Sequence, residues 1–145
     1  MTDRGFACVA LDNPKRDQNV GGVMRAAFVY DAGLIVVAGT RYRAQASDTV
    51  KAWRHVPLLQ VSDVFDAIPH DCVPVAVDLL PDATPLPKYR HPERAFYVFG
   101  AEDATLGERI TSRCRDKVFV PTRRCMNLAA TVNVILYDRL AKRAA

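Results

Sequence analysis

Three polar stretches of this chain follow apolar, strand-like runs, and each opens a helix-like run. Their residues with binding chemistry are, in chain order, Asn19 and Arg25, Gly100 and Glu102, and Cys125 and Asn127. In open α/β sheets ligands bind at the carboxyl ends of the strands, where free helix N–H groups face the same crevice. The three stretches therefore predict one ligand-binding crevice that combines a cation, a carboxylate and amides.

The first stretch has two local interpretations. Gly21 and Gly22 lie near a helix start, where each costs about 1 kcal/mol against alanine, so their presence suggests close packing or binding. Asn19 suits a helix N-cap, and Arg25, six residues later, suits a solvated helix charge. Alternatively both side chains serve a ligand, and the residues alone leave both interpretations open.

The second and third stretches are equally open when each is taken alone. Gly100 follows a strand directly and lets the backbone approach a ligand closely. Glu102 or Asp103 can accept a hydrogen bond from a ligand hydroxyl, cap the next helix, or remain solvated. Cys125 and Asn127 either contact a ligand or only shape the start of the last helix. Three such stretches in one chain are a rarer pattern than any one of them.

The elements that would position these residues alternate along the chain. Apolar runs of strand length are Phe6–Leu11, Leu34–Ala38, Val56–Leu59, Val73–Val77, Ala95–Phe99 and Lys117–Val120. Helices fit Asn19–Ala32, Ser47–Trp53, Ser62–Ile68, Leu106–Arg113 and Met126–Lys142. The proline-rich segment Leu80–Pro92 predicts an ordered surface loop. The alternation predicts an α/β fold with a mostly parallel sheet and helices on both faces.

The composition is that of an ordinary globular chain. Its 145 residues suit one domain over residues 1–145, with 50% apolar and 25% charged residues. No apolar run approaches the roughly 20 residues that cross a bilayer, and no signal peptide is visible. The four cysteines lack C-x-x-C spacing, which favours reduced, mostly buried thiols in the cytoplasm over disulfides or a metal site.

The charge balance favours a phosphate-rich partner. The net charge is +4, and the basic residues cluster at Lys15-Arg16, Arg41–Arg54 and Arg109–Arg124. The common patterns G-x-x-x-x-G-K-[ST], G-x-G-x-x-G, H-E-x-x-H and G-x-S-x-G are absent. An unrelated α/β nucleotide-binding domain is therefore a weaker alternative, because it would need a phosphate site of another kind.

Taken together, the three stretches resemble the three motifs of the SpoU/TrmH branch of the SPOUT methyltransferases. The family's first motif, N-P-x-N-x-G-x-x-x-R, is matched by Asn13-Pro14 and, after a longer loop, by Asn19 and Arg25. Its second motif, G-x-E, is matched by Gly100-Ala101-Glu102. The next glycine, Gly107, comes two residues later than in the usual E-x-x-G.

The third motif, I-P-…-S-x-N-x-(S/A), is matched from Val120-Pro121 to Asn127-Leu128-Ala129. Here Cys125 stands where the family usually has serine. The resemblance extends from Phe6 to Arg143, nearly the whole chain.

The resemblance implies a deep trefoil knot at the C-terminal end, a rare exception to unknotted chains. It also implies S-adenosyl-L-methionine as the cofactor, a homodimer whose active site draws on both chains, and methylation of an RNA ribose 2′-hydroxyl. The residues that match the family's cofactor contacts, largely through their main chain, are Val77, Gly100, Val120, Cys125 and Met126.

The resemblance assigns catalytic roles to Arg25, Asn19, Glu102 and Asn127. Arg25 would activate the ribose hydroxyl together with an RNA phosphate. Because arginine resists deprotonation, two roles stay open for it: a true base, or a cation that stabilises the forming alkoxide. Asn19 would hold Arg25 in place, and Glu102 would restrain the guanidinium or bind the ribose. Asn127, in the knotted part of the fold, would take part in binding.

RNA capture is expected from the dimer surface, since no additional RNA-binding domain is expected. The family's shortest members act on transfer RNA in that form, which favours transfer RNA over ribosomal RNA. The predicted phosphate contacts are Arg41, Arg43, Lys51 and Arg54, and the candidates for base stacking are Tyr42 or Trp53. For Trp53, packing in the core is the favoured alternative. The predicted dimer contact lies on the last helix, at Leu128, Val132, Ile135 and Leu136.

A catalytically silent RNA-binding protein of the same fold is the main alternative function. The cysteine at position 125 and the longer second loop leave it open. The joint presence of the four catalytic candidates favours an enzyme.

Overall fold

Within the part of the chain that the structure describes, seven parallel strands form the central sheet. The structure is a computed structural model that describes residues 5–41 and 55–144. The strands lie in the spatial order β3-β2-β1-β6-β4-β7-β5, and each paired neighbour runs parallel. They span Phe6–Asp12 (β1), Leu34–Ala38 (β2), Leu58–Val61 (β3), Val73–Val77 (β4), Thr84–Pro85 (β5), Arg94–Phe99 (β6) and Asp116–Phe119 (β7). The sheet confirms the predicted α/β class.

Helices flank this sheet. Within the described ranges the α-helices are Asp17–Val29 (α1), Glu108–Thr111 (α2) and Leu128–Ala144 (α3), with 3-10 turns at Val64–Ala67 and Leu86–Lys88. None of the helices in these ranges combines the length and the apolar character that crossing a bilayer requires.

The predicted boundaries agree best with the observed ones for buried strands, which are continuous apolar runs in the sequence. β2 and β4 match residue for residue, whereas β3 begins two residues later than predicted. The predicted helix Ser62–Ile68 is only a 3-10 turn, because the Asp63 side chain accepts from the Phe65 N–H at 3.0 Å and closes a tight turn there. The predicted helix Ser47–Trp53 lies outside the described residues.

Both faces of the sheet are buried, as predicted. Alternate residues of β1 serve the two sides: Val9 and Leu11 pack with α1 and α3, while Cys8 and Ala10 pack with the 3-10 turn Val64–Ala67 and α2. The described cysteines are free thiols; Cys125 alone among them is exposed. This confirms the prediction of mostly buried thiols.

The apolar stripe of α3 does not form an external contact. Leu128, Val132, Ile135 and Leu136 are all buried within their own chain, against α1 and the sheet. The prediction that these four residues form the dimer contact is therefore wrong. Helical spacing identified a buried face correctly but could not tell which surface covers it.

The last helix, α3, is hydrogen-bonded to the segment that follows β5. β7 lies between β4 and β5, although β4 and β5 follow one another along the chain. From α3, Lys142 donates to the carbonyls of Leu86 and Tyr89 at 2.6 and 2.8 Å. Arg139 donates to the carbonyls of Pro92 and Glu93, both at 2.6 Å. This arrangement agrees with the knot that the resemblance implies.

A buried polar network reinforces this contact. His91 pairs through Nδ1 with the Tyr97 hydroxyl at 2.7 Å and through Nε2 with Asp138 at 2.7 Å. Arg139 donates to the same hydroxyl at 3.2 Å. If His91 is neutral, Tyr97 donates to Nδ1 and the Nε2–H donates to Asp138. Burial lowers the pKa of His91, and Lys142 and Arg139 add to this against the opposing effect of Asp138.

Stability should therefore fall in mild acid. The unfolded chain protonates His91 near its ordinary pKa of about 6.5, while the folded protein resists protonation. Below that pH the unfolded state binds more protons, so the free energy of unfolding should decline as the pH drops. Thermal unfolding between about pH 8 and pH 5 should show this slope, and His91→Gln should flatten it. His70→Gln, at an exposed histidine, should keep the wild-type slope. An unchanged slope in His91→Gln would contradict the assignment.

Candidate active site

A cavity of about 540 Å³ opens at the carboxyl ends of β4, β6 and β7. The five residues predicted to bind the cofactor all line it, namely Val77, Gly100, Val120, Cys125 and Met126. Glu102 lines it as well. Because parallel strands end at one edge of a sheet, the loops that follow these strands meet here despite their separation along the chain. The second and third motifs therefore share one crevice.

The loop Gly100–Gly107 is held in a defined shape. The Ala104 N–H donates to the Ala101 carbonyl at 3.2 Å, which closes a turn inside the loop. A Cβ at Gly100 would lie 3.3 Å from the Ala104 carbonyl oxygen and from Leu106, so only glycine fits without a shift. The two extra residues of this loop are thus accommodated by a closed turn.

Asp78 is a cavity residue that the sequence interpretation missed. It follows β4 directly, and its carboxylate accepts from the Leu106 N–H and from the Leu79 N–H, both at 2.8 Å. It therefore holds the far end of the second loop against the end of β4. The available signal was its place at the carboxyl end of a buried strand, next to Val77, which was identified.

Glu102 joins the second motif to the first. Its carboxylate accepts from the backbone N–H groups of Lys15 and Arg16, each at 3.0 Å, and from the Asn19 side-chain amide at 2.8 Å. Partial burial raises the pKa of Glu102, but these three hydrogen bonds outweigh it and leave the pKa below its usual value. The carboxylate is thus held ionised at the start of α1, where the helix dipole favours negative charge.

Asn19 is not a helix N-cap, which corrects its local interpretation. α1 begins at Asp17, so Asn19 lies inside the first turn, and the N-cap residue Arg16 has no side-chain cap. The carboxylate of Glu102 accepts the Arg16 N–H instead, as the glutamate of a capping box does from within its own helix. Asn19 was predicted to hold Arg25, but its amide is directed to Glu102.

Arg25 is exposed on α1. Within residues 5–41 and 55–144 its side chain has no hydrogen bond or ion pair. It lies next to Gly22, because residues three apart are neighbours on a helix surface. A Cβ at Gly22 would come within 2.8 Å of the Ala129 Cβ, so α1 and α3 touch at this point. Arg25 therefore lies about one turn from the point where α1 contacts the helix that the third motif begins.

The third loop is rigid at both ends. The Asn127 side chain accepts from the Ala130 N–H at 2.7 Å and so caps α3, and the Thr122 hydroxyl donates to the Arg124 carbonyl at 2.6 Å. Arg123 and Arg124 both line the cavity and are exposed. In the part of the chain that the structure describes, neither side chain has an ion-pair partner.

Arg41 is not a free cation. Its guanidinium donates to both carboxylate oxygens of Asp103, at 3.0 and 3.1 Å, and to the Asn13 carbonyl at 2.7 Å. Its predicted role as a phosphate contact does not fit this arrangement. The other predicted RNA contacts, Tyr42, Arg43, Lys51, Trp53 and Arg54, lie outside the described residues. No group of three potential metal ligands occurs within residues 5–41 and 55–144.

The chain belongs to the SpoU rRNA Methylase family, whose profile matches residues 7–137. This match includes all three motifs and extends from β1 into α3. No curated protein sequence is similar enough to this chain to serve as a relative.

Solved structures share the fold at low sequence identity. The SpoU methyltransferase AviRb from Streptomyces viridochromogenes, in complex with AdoMet, is 22% identical with a TM-score of 0.85 over 97% of this chain. This chain covers 61% of AviRb. A structure described under the 2-OH methylation of C/U34 on tRNA is 23% identical, with a TM-score of 0.83 and 97% of both chains covered. The A. aeolicus TrmH/SpoU tRNA modifying enzyme is 16% identical, with a TM-score of 0.84 over 97% of this chain and 77% of that one.

The geometry predicts that Glu102→Ala destabilises the protein. Removing the carboxylate leaves three donors without their acceptor, and hydrogen bonds to charged groups in a partly exposed site contribute about 1–2 kcal/mol in total. The measurement is the free energy of unfolding by denaturant titration. Glu108→Ala, at an exposed glutamate in the first turn of α2, is the control and should change stability by less than about 0.5 kcal/mol. Equal effects of the two substitutions would refute this role of Glu102.

Proposed function

We propose that this protein transfers a methyl group from S-adenosyl-L-methionine to the 2′-hydroxyl of an RNA ribose. The observation that carries the proposal is the cavity, which combines the five predicted cofactor residues with the carboxylate that holds the first motif. Membership of the SpoU rRNA Methylase family supports RNA methylation. The AdoMet complex of AviRb supports the cofactor, and the structure connected with 2-OH methylation supports a hydroxyl acceptor.

The cavity suits this cofactor in size and chemistry. Its volume of about 540 Å³ falls within the roughly 300–1,000 Å³ of small-molecule sites. Leu79 and Met126 offer apolar surface for a purine, while Asp78 and Glu102 offer negative charge for a ligand with a sulfonium and an ammonium group. Arg124 offers a cation for a carboxylate. When bound, S-adenosyl-L-methionine supplies an electrophilic methyl group.

The residues of the first and third motifs would bind and orient the acceptor. Arg25 is exposed and unpaired within the described chain, so it is free to bind an RNA phosphate and to stabilise charge that develops on the hydroxyl oxygen. We favour this cationic role over that of a base, because a guanidinium resists deprotonation. Asn19 and Glu102 would fix the helix that carries Arg25. Asn127 caps α3 through its oxygen, which leaves its amide nitrogen as a donor.

Transfer RNA is the proposed substrate class. The support is the structure connected with methylation of C/U34 on tRNA, which matches this chain over 97% of both lengths. The TrmH/SpoU tRNA modifying enzyme of A. aeolicus adds to it. Ribosomal RNA is the second candidate, since the family is described by rRNA methylation. A cytoplasmic location is proposed from the free, mostly buried thiols.

Mapping of ribose methylation in total cellular RNA, with and without this gene, tests the proposed function directly. The expected result is the loss of one mark in a transfer RNA and its return on complementation. Loss of a mark in ribosomal RNA would keep the reaction and change the substrate. No lost mark, combined with no binding of S-adenosyl-L-methionine by calorimetry, would overturn the proposal. Cofactor binding without a lost mark would favour the silent RNA-binding alternative.

Arg25→Ala should abolish methyl transfer and leave cofactor affinity and melting temperature nearly unchanged. Loss of a positioned charge from the reaction site should cost about 10²-fold or more in rate. Arg25→Lys should be nearly as poor, because lysine lacks the planar fork. The measurement is single-turnover methylation of the mapped RNA, with a cofactor titration alongside.

Arg90→Ala is the matched control for Arg25→Ala, since Arg90 is also exposed and lies outside the cavity wall. It should keep a rate within a factor of about three of wild type, as surface substitutions generally have small effects. If Arg25→Ala retains more than about a tenth of the wild-type rate, Arg25 is not the catalytic cation.

We also propose that the protein is a homodimer. The C-terminal parts of α1 and α3 expose large apolar side chains at Phe28, Val29, Tyr137 and Leu140. Tyr30 and Tyr137 pack edge to face at 6.5 Å between ring centres, which joins the two helix ends into one surface. Exposed apolar surface of this kind is typical of protein contacts. A second copy of the chain would cover it and complete the RNA site.

Light scattering at micromolar concentration should give twice the mass of the chain. Tyr137→Glu combined with Leu140→Glu should give the monomer mass, because two charges cannot be buried in an apolar contact without partners. Leu59→Glu, at an exposed leucine of β3, serves as the control and should leave the dimer intact. A wild-type monomer would refute the dimer, and a dimeric double variant would refute this surface.

A further inference from the structure

Two neighbouring acids of the Gly100–Gly107 loop hold opposite ends of the segment between β1 and α1. Glu102 holds the end next to α1, through the hydrogen bonds described above. Asp103 reaches the other end through Arg41, which donates to both Asp103 oxygens and to the Asn13 carbonyl at 2.7 Å. Its carboxylate also lies 3.9 Å from the exposed Lys15 ammonium, a long contact that solvent screens. The loop Gly100–Gly107, which lines the cavity, therefore contacts both ends of the segment that leads into α1, the helix that carries Arg25.

At the Asn13 end of this segment two stretches of backbone pass close to each other. The Asn13 N–H donates to the Ala38 carbonyl at 2.7 Å, and Asn13 has a left-handed φ of 57°. Gly39 has a φ of 109°, and a Cβ there would collide with Asn13. Glycine is required at this position for both reasons. The close passage of the two backbones brings Arg41, two residues on, into reach of Asn13 and Asp103.

The contact between Arg41 and Asp103 contributes more to the relative orientation of the loops than to the free energy of unfolding. The two side chains are 33% and 42% exposed, so solvent screens their attraction. The hydrogen bond from Arg41 lowers the pKa of Asp103, which keeps the carboxylate charged at neutral pH. A guanidinium that donates to both oxygens of a carboxylate fixes the relative orientation of the two groups. Loss of this contact should change the position of the loops and leave the fold intact.

We infer that Arg41 and Asp103 form a positioning pair that couples occupation of the cavity to the placement of α1 and hence to RNA binding. The inference rests on the proposed function. A ligand that contacts the loop Gly100–Gly107 acts, through Glu102 and this pair, on the segment that leads to Arg25. Each ligand then raises the affinity of the protein for the other, and such coupling is reciprocal. Asp103 is the residue that directly follows the G-x-E motif in the longer loop.

Asp103→Asn is the substitution that tests the pair, because it removes the charge and keeps the size. The measurement is the affinity for S-adenosylhomocysteine, which lacks the transferable methyl group, with and without the RNA identified by the mapping. Wild type should bind the ligand at least about fivefold more tightly with RNA present, within the usual range of coupling. In Asp103→Asn this ratio should fall close to one, whatever the affinity of the variant for S-adenosylhomocysteine without RNA. Arg41→Lys should reduce the ratio partially, since it keeps the charge and loses the fork.

Asp82→Asn is the matched control. Asp82 is an exposed aspartate that makes one ion pair, with Lys117 at 2.9 Å, and it lies outside the cavity wall. Its coupling ratio should equal that of wild type. A wild-type ratio in Asp103→Asn, or a wild-type protein without coupling, would overturn the inference while methyl transfer by wild type upholds the proposed function. A wild type that neither binds nor methylates RNA would overturn both.

Discussion

The carboxylate of Glu102 is the contact on which the rest of the site depends. β1 and β6 are paired in parallel, with Leu11 opposite Phe99, so the loops that follow them start side by side. The sheet thus makes a contact between the first and second motifs possible, and the carboxylate makes it specific. It accepts from two consecutive backbone N–H groups and one side-chain amide, which only one placement of the α1 start can satisfy. The helix that carries Arg25 is therefore positioned by a residue of the loop that lines the cavity.

The position of α1 in turn constrains α3. The two helices meet where the Gly22 backbone faces Ala129, with no room for a side chain on the glycine. Glycine weakens a helix, and here the close approach of the two helices offsets that cost. Ala129 belongs to the third motif, and one turn further α3 packs Val132 into the core. A sequence of contacts thus runs from the second motif through the first to the third, so the three cannot shift independently.

Sequence patterns predicted those features that depend on residues close together in the chain. β2 and β4 were predicted to the residue because a strand buried on both faces is a continuous apolar run. The cavity residues were predicted through the family resemblance and lie together. The start of α1 was missed because its acceptor, Glu102, lies 86 residues away from Arg16. Asn19 has the residue type of a cap, and only the tertiary fold directs its amide elsewhere. Asp78 was missed because a lone aspartate after a strand carries no distinctive spacing.

The departures from the family pattern fall where other residues maintain the geometry. Cys125 replaces the usual serine, and a thiol is a weaker donor than a hydroxyl. The loop around it is nevertheless fixed by the Thr122 hydroxyl and by the Asn127 cap, and Cys125 itself is exposed on the cavity wall. The loop therefore keeps its shape through the side chains of Thr122 and Asn127. The two extra residues of the second loop are likewise accommodated by a closed turn, with Asp78 holding the loop end. Both changes therefore lie in loops whose shape is fixed by hydrogen bonds of neighbouring residues.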